Sequence, residues 1–412
     1  MNWILPTPRG VFFSLAAVGG IGVALINVGL GTALAAASLT GIVLSSFFIA
    51  LFSLYFIKIE RSPGRDGNRG STLPMPLVIT NHGIFFRQAL VVSEKIPFAP
   101  GGLHRCAAPP LKPREKILFN RNVPIMRRGF FSLQNIVLIG GDPAGLFARR
   151  RTFKIPTEVM ISPEIVELRD LPLQVQGRSI LSPEGRPLGI SGQGQEFFGI
   201  REYRPSDGLR FIDWKSTASK RKLMVKEFEA GSIDQITLML DCEAKLTGRD
   251  REESNFEFLT KIAASIFHNM SELYCRVQFI GFDQNGKRIR VRGEASGVYQ
   301  EVMDALSTIE PGKGKLTELL DEAPNLIYPD SIFYCLSMSE NATIRKQLEE
   351  LAANRIEVRW IFAPREYFPI IDPEQPRVIK KAVPEQPGGW LKPLTVNFNT
   401  KLREALCREQ NN

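Results

Sequence analysis

The chain has 412 residues, which is enough for two or three domains that each bury a core. Its hydrophobic content of 44% and charged content of 23% are ordinary for globular protein and exclude a largely disordered chain. The 52 basic residues outnumber the 43 acidic ones, which gives a net charge of +9. Most of the excess falls between residues 112 and 154, so a partner that recognises this charge would meet that region. The basic surface predicted there is represented by Arg127, Arg128, Arg149, Arg150 and Arg151.

Cysteine and histidine spacing argues against both a disulfide framework and a zinc site. The five cysteines are scattered without a Cys-x-x-Cys pair, and the three histidines lie far apart. Reduced thiols, mostly buried, are the expected state. No cofactor is predicted.

Two uncharged apolar segments, residues 11–31 and 33–57, come near the start of the chain. Each has about 20 residues or more, enough to cross a bilayer core of about 30 Å. Small residues recur at every fourth position, which favours close packing of two membrane helices as a hairpin. These positions are Ala16, Gly20 and Ala24 in the first segment and Ala33, Ala37, Gly41 and Ser45 in the second.

The charges beside these segments predict their orientation. Arg9 precedes the first segment, Lys58 and Arg69 follow the second, and the connection between them is uncharged. Both ends of the hairpin, and everything after it, are therefore expected in the cytoplasm. A cleaved signal peptide is the alternative, because Ala33-Leu34-Ala35 resembles a cleavage site.

The predicted domains follow one another in chain order. A helical hairpin (1–60) and a linker (61–72) lead into short strand-like runs, which favour a small antiparallel β-sandwich of about seven strands (73–165). A connecting segment (166–235) precedes alternating strands and helices (236–365), which predict a mostly parallel sheet covered on both faces. The Pro-rich remainder, residues 366–412, is predicted to be a peripheral extension.

Charged and aromatic residues are interleaved most densely between residues 194 and 241. The segment 201–214, called the signature here, resembles the Arg-x-Tyr-x-x-x-Asp-x-x-Arg-x-Ile-Asp-Trp pattern of the bacterial domain-of-unknown-function-58 family. Arg127-Arg128-Gly129-Phe130 and the stretch 141–147 resemble two further elements of that family. The signature residues are Arg201, Tyr203, Asp207, Arg210, Ile212, Asp213 and Trp214.

This resemblance implies a protein of the bacterial inner membrane whose C-terminal α/β domain is of the von Willebrand factor A type, a Rossmann-like fold. It also implies a MoxR-type AAA+ ATPase as partner, and other membrane proteins in some cases. It establishes no catalytic activity.

A-type domains bind a divalent cation through Asp-x-Ser-x-Ser after the first strand, a Thr, and an Asp after a later strand. This chain keeps Asp241 but has Glu243 and Lys245 at the serine positions and Met338 where the later Asp belongs. Several oxygen ligands must converge on such a cation. The prediction is therefore a degenerate site without metal, and an ion pair between Asp241 and Lys245 is a hypothesis for what replaces the cation.

Three interpretations of the signature remain open. Asp207 and Asp213 could act as an acid/base pair, but the flanking arginines would hold both carboxylates ionised. The same residues could instead form a structural ion-pair network in which Asp213 caps a short helix. They could also form a docking surface for a partner.

The function expected from these patterns is that of a membrane-anchored, non-enzymatic scaffold or adaptor. It would cooperate with a MoxR-type ATPase in protein-complex assembly or envelope maintenance. One alternative is a cation-dependent binding protein or enzyme that uses the Asp241 region. Another is binding of anionic lipid or nucleic acid by the basic surface, where nucleic acid is disfavoured because no known nucleic-acid-binding module accompanies the charge.

Overall fold

The computed structural model divides the chain into two compact units, Met1–Ile161 and Ser162–Asn412. The described residues are 3–26, 29–61, 66–168, 171, 174–175, 178–179, 191–203, 212–229, 235–248, 250, 252–273, 275–327, 331–369 and 391–407.

The first unit consists of a short strand, two long helices and ten further strands. Its elements are β1 Trp3–Pro6, α1 Pro8–Ile26, α2 Leu30–Phe52, β2 Ile57–Arg61, β3 Gly67–Asn68, β4 Thr72–Pro74, β5 Leu77–Asn81, β6 Leu90–Lys95, β7 Leu103–Ala108, β8 Lys116–Phe119, β9 Asn122–Pro124, β10 Gly129–Gly141 and β11 Phe147–Ser162.

Helices α1 and α2 are long and apolar enough to cross a membrane, and most of their surface is exposed. They pack against each other at small residues: Gly20 faces Ala36, and Ala17 is buried. On the second helix the four small residues predicted to pack against the first helix are all exposed, so that prediction was wrong. The buried residues of this helix are Ala36, Ser46 and Ala50. This helix is rich in small residues, so its sequence contains several stripes of the same spacing.

The strands of the first unit form three sheets. One has the order β1-β11-β10-β6-β7, with β3 also paired to β11; the others are β2-β5-β8 and β4-β9. Apolar residues of the β2-β5-β8 sheet share one core with β6, β7 and β10. Glu94 of β6 pairs with two buried arginines. Its Oε1 accepts a hydrogen bond from Arg61 Nη2 at 2.6 Å, and its Oε2 forms an ion pair with Arg121 Nη1 at 2.9 Å.

The second unit alternates strands and helices over most of its length. Its elements are β12 Gln174–Val175, β13 Arg178–Ser179, β14 Ser191–Glu202, α3 Trp214–Lys220, β15 Met224–Glu229, β16 Gln235–Leu240, α4 Asn255–Met270, β17 Arg276–Phe282, β18 Arg288–Glu294, α5 Ala295–Thr308, α6 Leu316–Leu326, β19 Ile332–Ser337, α7 Ala342–Ala353, β20 Glu357–Phe362, β21 Leu394–Thr395 and α8 Leu402–Cys407.

The main sheet of this unit has the order β18-β17-β16-β19-β20-β21. All its neighbouring strands are parallel except β18, which is antiparallel at one edge. Every residue of β16 and β19 is buried, so both faces of the sheet are covered, as continuous apolar strands require. Helix α4 packs with α5, and α6 with α7.

The interpretation of residues 366–412 as a peripheral extension was wrong for its described part. Strand β21 pairs with β20, and Val396, Leu402 and Leu406 belong to the core of the unit. These apolar residues are spaced too widely to show a helix or strand period, and they become buried only through contacts that are distant in sequence.

Candidate functional site

The carboxyl edge of the parallel sheet brings Asp241 and Met338 together, because they follow the neighbouring strands β16 and β19. Asp241 is 1% exposed. Its Oδ2 accepts a hydrogen bond from the Met338 backbone N–H at 3.0 Å, and its Oδ1 accepts one from the Glu243 N–H at 3.1 Å. Both carboxylate oxygens are thus engaged by the chain's own backbone.

Burial has the largest effect on the pKa of Asp241. Loss of hydration raises the pKa of this carboxyl to about 6, and the two backbone N–H groups oppose the rise without cancelling it. The charge of Glu243 adds to the increase. The raised pKa therefore has a local cause, the burial of this carboxyl group at the end of β16.

Of the other three residues of the predicted degenerate site, Met338 and Glu243 reach Asp241 through their backbone N–H groups. Glu243 is half-buried, and Lys245 is exposed on a 3-10 turn, Ala244–Leu246. The buried Met338 presents its sulfur to the Thr247 hydroxyl at 3.6 Å. Within the described residues Asp241 makes no ion pair with Lys245, so that hypothesis was wrong, because two backbone amides serve the carboxylate instead.

The loops around this edge are tied together by Asn255, which is fully buried. Its Nδ2 donates to the Leu246 and Ala363 carbonyls at 3.1 and 2.9 Å, and its Oδ1 accepts the Gly248 N–H at 2.9 Å. Among the described residues no group of three or more His, Cys, Asp or Glu side chains could hold a metal ion. The edge has the arrangement of a closed structural cap.

The described residues of the signature lie at the end of β14 and at the start of the short helix α3. Asp213 occupies the N-cap position of α3, as predicted, but its Oδ2 accepts from the Ser216 hydroxyl at 2.8 Å and not from a backbone N–H. Tyr203 donates its backbone N–H to Leu223 at 2.8 Å, and Arg201 Nη1 donates to the Glu202 carbonyl. Asp207 and Arg210 lie outside the described residues.

Trp214 is 69% exposed and Leu223 is 44% exposed. They are the exposed large hydrophobic residues among those described in the second unit. Four exposed cations lie between them in the chain, and one of these, Lys222, pairs with Glu202 at 2.7 Å. The cations are Lys215, Lys220, Arg221 and Lys222. We call these residues together the Trp214 surface.

Three of the five arginines predicted to form one basic surface lie on β11 and are divided between its two faces. Successive side chains of a strand point to opposite sides, so Arg149 and Arg151 of β11 turn to one face and Arg150 to the other. Arg149 donates to the Leu51 carbonyl and stacks on the Tyr55 ring at 4.3 Å, and Arg151 donates to the Leu54 carbonyl at 2.9 Å. Two of the five therefore fix the C-terminal end of α2, where cations are favoured. Arg127 and Arg128 are half-buried.

Arg150 instead lines a concave pocket of about 670 Å³ on the large sheet, together with basic, polar and apolar side chains. Its three cations are Lys95, Arg105 and Arg150, and its lining also includes Ser93 and Asn135. No acidic residue lines it. This arrangement would favour an anionic ligand.

The sequence analysis overlooked one exposed apolar group, Ile84, Phe85 and Phe86, in the loop between β5 and β6. The signal was present as three consecutive large apolar residues between Gly83 and Arg87. A run of this length on a surface is unfavourable unless something covers it.

Comparison with solved structures gives only faint likenesses. A β-glucosidase from Listeria innocua overlaps 25% of this chain and 16% of its own, at 10% identity and a TM-score of 0.16. A β-glucosidase from Paenibacillus barengoltzii overlaps 40% and 22%, at 12% identity and a TM-score of 0.15. Neither overlap bears on fold or activity.

One curated protein, the uncharacterized protein YeaD of Bacillus subtilis (strain 168), is 25% identical over 150 residues. The match covers 35% of this chain and 33% of that relative, so the chain covers about a third of the relative's length. The family described as "Protein of unknown function DUF58" matches residues 199–329, which include the signature and Asp241. The resemblance carried by the signature is thus confirmed: residues 199–329, about a third of the chain, match the model of the DUF58 family.

Proposed function

We propose that this protein is a membrane-anchored scaffold or adaptor whose Trp214 surface docks a MoxR-type AAA+ ATPase. The pair would act in protein-complex assembly or in maintenance of the cell envelope. The soluble parts would lie in the cytoplasm, with α1 and α2 in the inner membrane. The ATPase as partner rests on the family resemblance alone.

The observation that supports a docking function is the exposure of Trp214. Tryptophan is the residue most often responsible for binding energy when it lies at an interface. Here it is 69% exposed beside Leu223 and four cations, whereas the carboxyl edge of the main sheet is closed around Asp241. The exposed side chains favour binding of another protein over chemistry at Asp241.

We also propose a fold type for each unit. The β2-β5-β8 sheet shares a core with the larger sheet of the first unit, which is consistent with a β-sandwich. The parallel sheet with Asp241 at its carboxyl edge is consistent with an A-type α/β domain whose cation site has degenerated. Strand β1 precedes α1 and pairs with β11, so cleavage after Ala35 would remove an edge strand; this favours retention of the anchor.

Docking is tested with the full chain in lipid nanodiscs and a purified MoxR-type ATPase. We expect Trp214→Ala to weaken binding by about 30-fold, since a buried interface tryptophan contributes about 2 kcal/mol or more. Lys222→Glu should weaken it as well, and Trp214→Phe should retain much of the affinity.

Lys346→Glu is the matched control, because Lys346 is a lysine that is 80% exposed on a different helix, α7. Equal affinities for Trp214→Ala and the unsubstituted chain would exclude this surface, and no binding by any form would exclude the ATPase partner. The cation-dependent alternative predicts micromolar Mg²⁺ affinity that Asp241→Ala abolishes.

A further inference from the structure

The loop between β5 and β6 exposes three large apolar side chains in a row. Ile84, Phe85 and Phe86 are 68%, 65% and 57% exposed. Contiguous exposed apolar surface of this kind marks a site of contact with a membrane or another protein.

The strand directions place this loop at the end of the first unit where α2 finishes. Strand β2 leaves that end, and β5 runs antiparallel to it, with Asn81 opposite Ile57. The loop therefore begins level with the residues that follow α2. The His82 N–H donates to the Phe56 carbonyl at 2.8 Å, and the buried Arg87 donates to the Tyr55 carbonyl at 3.2 Å.

A buried asparagine holds the loop in this conformation. Asn81 is fully buried, and its Nδ2 donates to the carbonyls of Phe85 at 2.9 Å and Lys112 at 3.0 Å. Its Oδ1 accepts the Gly83 N–H at 3.0 Å. The backbone is fixed from inside, so the apolar side chains are directed outward without being free to fold back.

Basic residues border the loop. Strand β8 runs antiparallel to β5, so the segment that precedes it returns to the same end, and the Arg114 N–H donates to the Gly83 carbonyl at 3.2 Å. Lys112, Arg114 and Lys116 are all exposed there. The one carboxylate between them, Glu115, accepts the Lys112 backbone N–H at 2.6 Å and is half-buried.

Phe56 adds a fourth exposed apolar side chain at the same place. It is 66% exposed and has a φ of 60°, in the left-handed region where a bulky side chain is strained. Glycine would suit this turn better. The backbone strain at Phe56 is explained if its ring, which lies beside the loop, makes a contact outside the protein.

We propose that Ile84, Phe85 and Phe86 insert into the interfacial zone of an anionic phospholipid bilayer, with Lys112, Arg114 and Lys116 on the lipid phosphates. The loop is then a third membrane contact beside α1 and α2. This rests on the proposed embedding of the helical hairpin.

A bilayer fits this surface better than a protein does. The loop is continuous with the end of an apolar helix, so an embedded α2 brings the lipid headgroups to it. Apolar side chains framed by lysine and arginine match the interface of an anionic membrane, where each well-placed cation adds to binding.

The test is spin-label depth measurement on the full chain in vesicles made of equal parts phosphatidylcholine and phosphatidylglycerol. Cys106 and Cys407, the half-buried thiols, are first replaced by serine. Single labels are then placed at Ile84→Cys, at Leu15→Cys on α1, and at Leu118→Cys on β8. Leu118 is the matched control, since it is 62% exposed and pairs with Val78, about 10 Å from the loop along the strand.

We expect the labels at positions 84 and 15 to collide more with oxygen than with a water-soluble nickel chelate, and the label at 118 to show the reverse. A water-like label at 84 with a lipid-like label at 15 would overturn the inference and leave the anchor standing. A label at 84 shielded from both reagents would mean that protein covers the loop, which also overturns it. A water-like label at 15 would remove the anchor and the inference together.

The charge contribution has its own test. In vesicles of phosphatidylcholine alone, or with Lys112→Glu, Arg114→Glu and Lys116→Glu combined, the label at 84 should become more accessible to the nickel chelate. Accessibility that does not change in either condition would refute the contact of these cations with lipid phosphates.

Discussion

At the end of β16, the buried carboxyl of Asp241 makes the folded chain sensitive to pH. Its pKa is about 6 in the folded chain, against 3.8 for an unperturbed Asp, so between these values the folded state binds more protons than the unfolded state. The free energy of unfolding contributed here therefore falls as the pH rises from about 4 to about 6. The difference corresponds to about 3 kcal/mol.

Asp241→Asn should abolish this dependence. The difference in unfolding midpoint between the unsubstituted chain and the variant should be largest near pH 4, shrink up to pH 6 and then stay constant. Near pH 4 the variant should be less stable, since its amide N–H₂ faces one of the two backbone donors, at a cost of about 1–3 kcal/mol. Above pH 6 this deficit should be largely cancelled, because the unsubstituted chain has then lost about 3 kcal/mol. Thermal unfolding of the full chain in detergent measures this; Asp321→Asn, at an exposed site, is the control. If the unfolding midpoints of Asp241→Asn and of the unsubstituted chain changed with pH in parallel, the raised pKa of Asp241 would be contradicted.

Glu94 is the counter-charge of two arginines whose side chains have almost no contact with water. The side chains of Arg61 and Arg121 are 3% and 0% exposed, and burial lowers the pKa of Arg61 although the Glu94 charge opposes this. Glu94→Gln should cost about 3–5 kcal/mol, because two buried guanidinium groups lose their counter-charge. Glu60→Gln, which removes an exposed partner of Lys58, should change stability little.

Urea unfolding of the full chain in detergent, with hydrogen exchange at β6 amides, assigns the loss to this core. If Glu94→Gln and Glu60→Gln shifted the urea midpoint equally, the buried triad would not stabilise the unit. Replacement of all three residues by apolar ones should recover much of the loss.

At the scale of single elements, the start of α1 is locked onto the turn between β10 and β11. The Thr7 hydroxyl donates to the Gly145 carbonyl at 2.7 Å, and the Thr7 N–H donates to Leu146 at 2.8 Å. A Cβ at Gly10 would lie 1.9 Å from the Leu146 carbonyl oxygen, so only glycine allows this approach.

Gly10→Ala should therefore push α1 away from the turn and cost about 1–3 kcal/mol. Gly22→Ala makes the same chemical change on the same helix, where a Cβ would meet nothing within 4 Å. It should be neutral or slightly stabilising, since alanine favours helix. The thermal midpoint in detergent measures both, and equal effects of the two substitutions would mean that α1 does not dock there.

Elements whose signal is local were predictable from the sequence. Strand β17, Arg276–Phe282, and helix α4, Asn255–Met270, lie in the segment 236–365, where alternating strands and helices were predicted, because apolar periodicity and strand runs are properties of neighbouring residues. Helix α6, Leu316–Leu326, is less evident from its sequence, because Pro324 lies in its last turn. Strand β1 was missed because its pairing with β11 joins residues more than a hundred positions apart.

The candidate site was predictable in part for the same reason. The place of Asp241 at a strand end follows from the apolar run before it. The alternation of Arg149, Arg150 and Arg151 between two faces depends on β11 being a strand, which the expected strands did not include. The exposure of Trp214 depends on what packs around α3, and no local pattern encodes that.

At the scale of the whole molecule, each unit has its own core, and the two apolar helices belong to the first. Arg149 and Arg151 bind carbonyls at the end of α2, and Gly10 fits against the β10–β11 turn. The helical hairpin is thus fixed to the sheets of the first unit and is not joined to them only by a flexible linker. If it spans a membrane, that unit is held at the bilayer surface in one orientation.

The side of the membrane can then be predicted from charge. Arg9 in the first turn of α1 and Lys58 soon after α2 lie at the end of the hairpin that carries the sheets, Arg69 follows in the chain within the same folded body, and the connection at the other end is uncharged. Because basic flanks are retained in the cytoplasm, a reporter fused after Arg69, or at the C-terminus of the full chain, should be fluorescent as green fluorescent protein and inactive as alkaline phosphatase. A fusion within residues 27–29 should show the opposite behaviour. Alkaline phosphatase activity after Arg69 would reverse the topology and would place the Trp214 surface out of reach of a cytoplasmic ATPase.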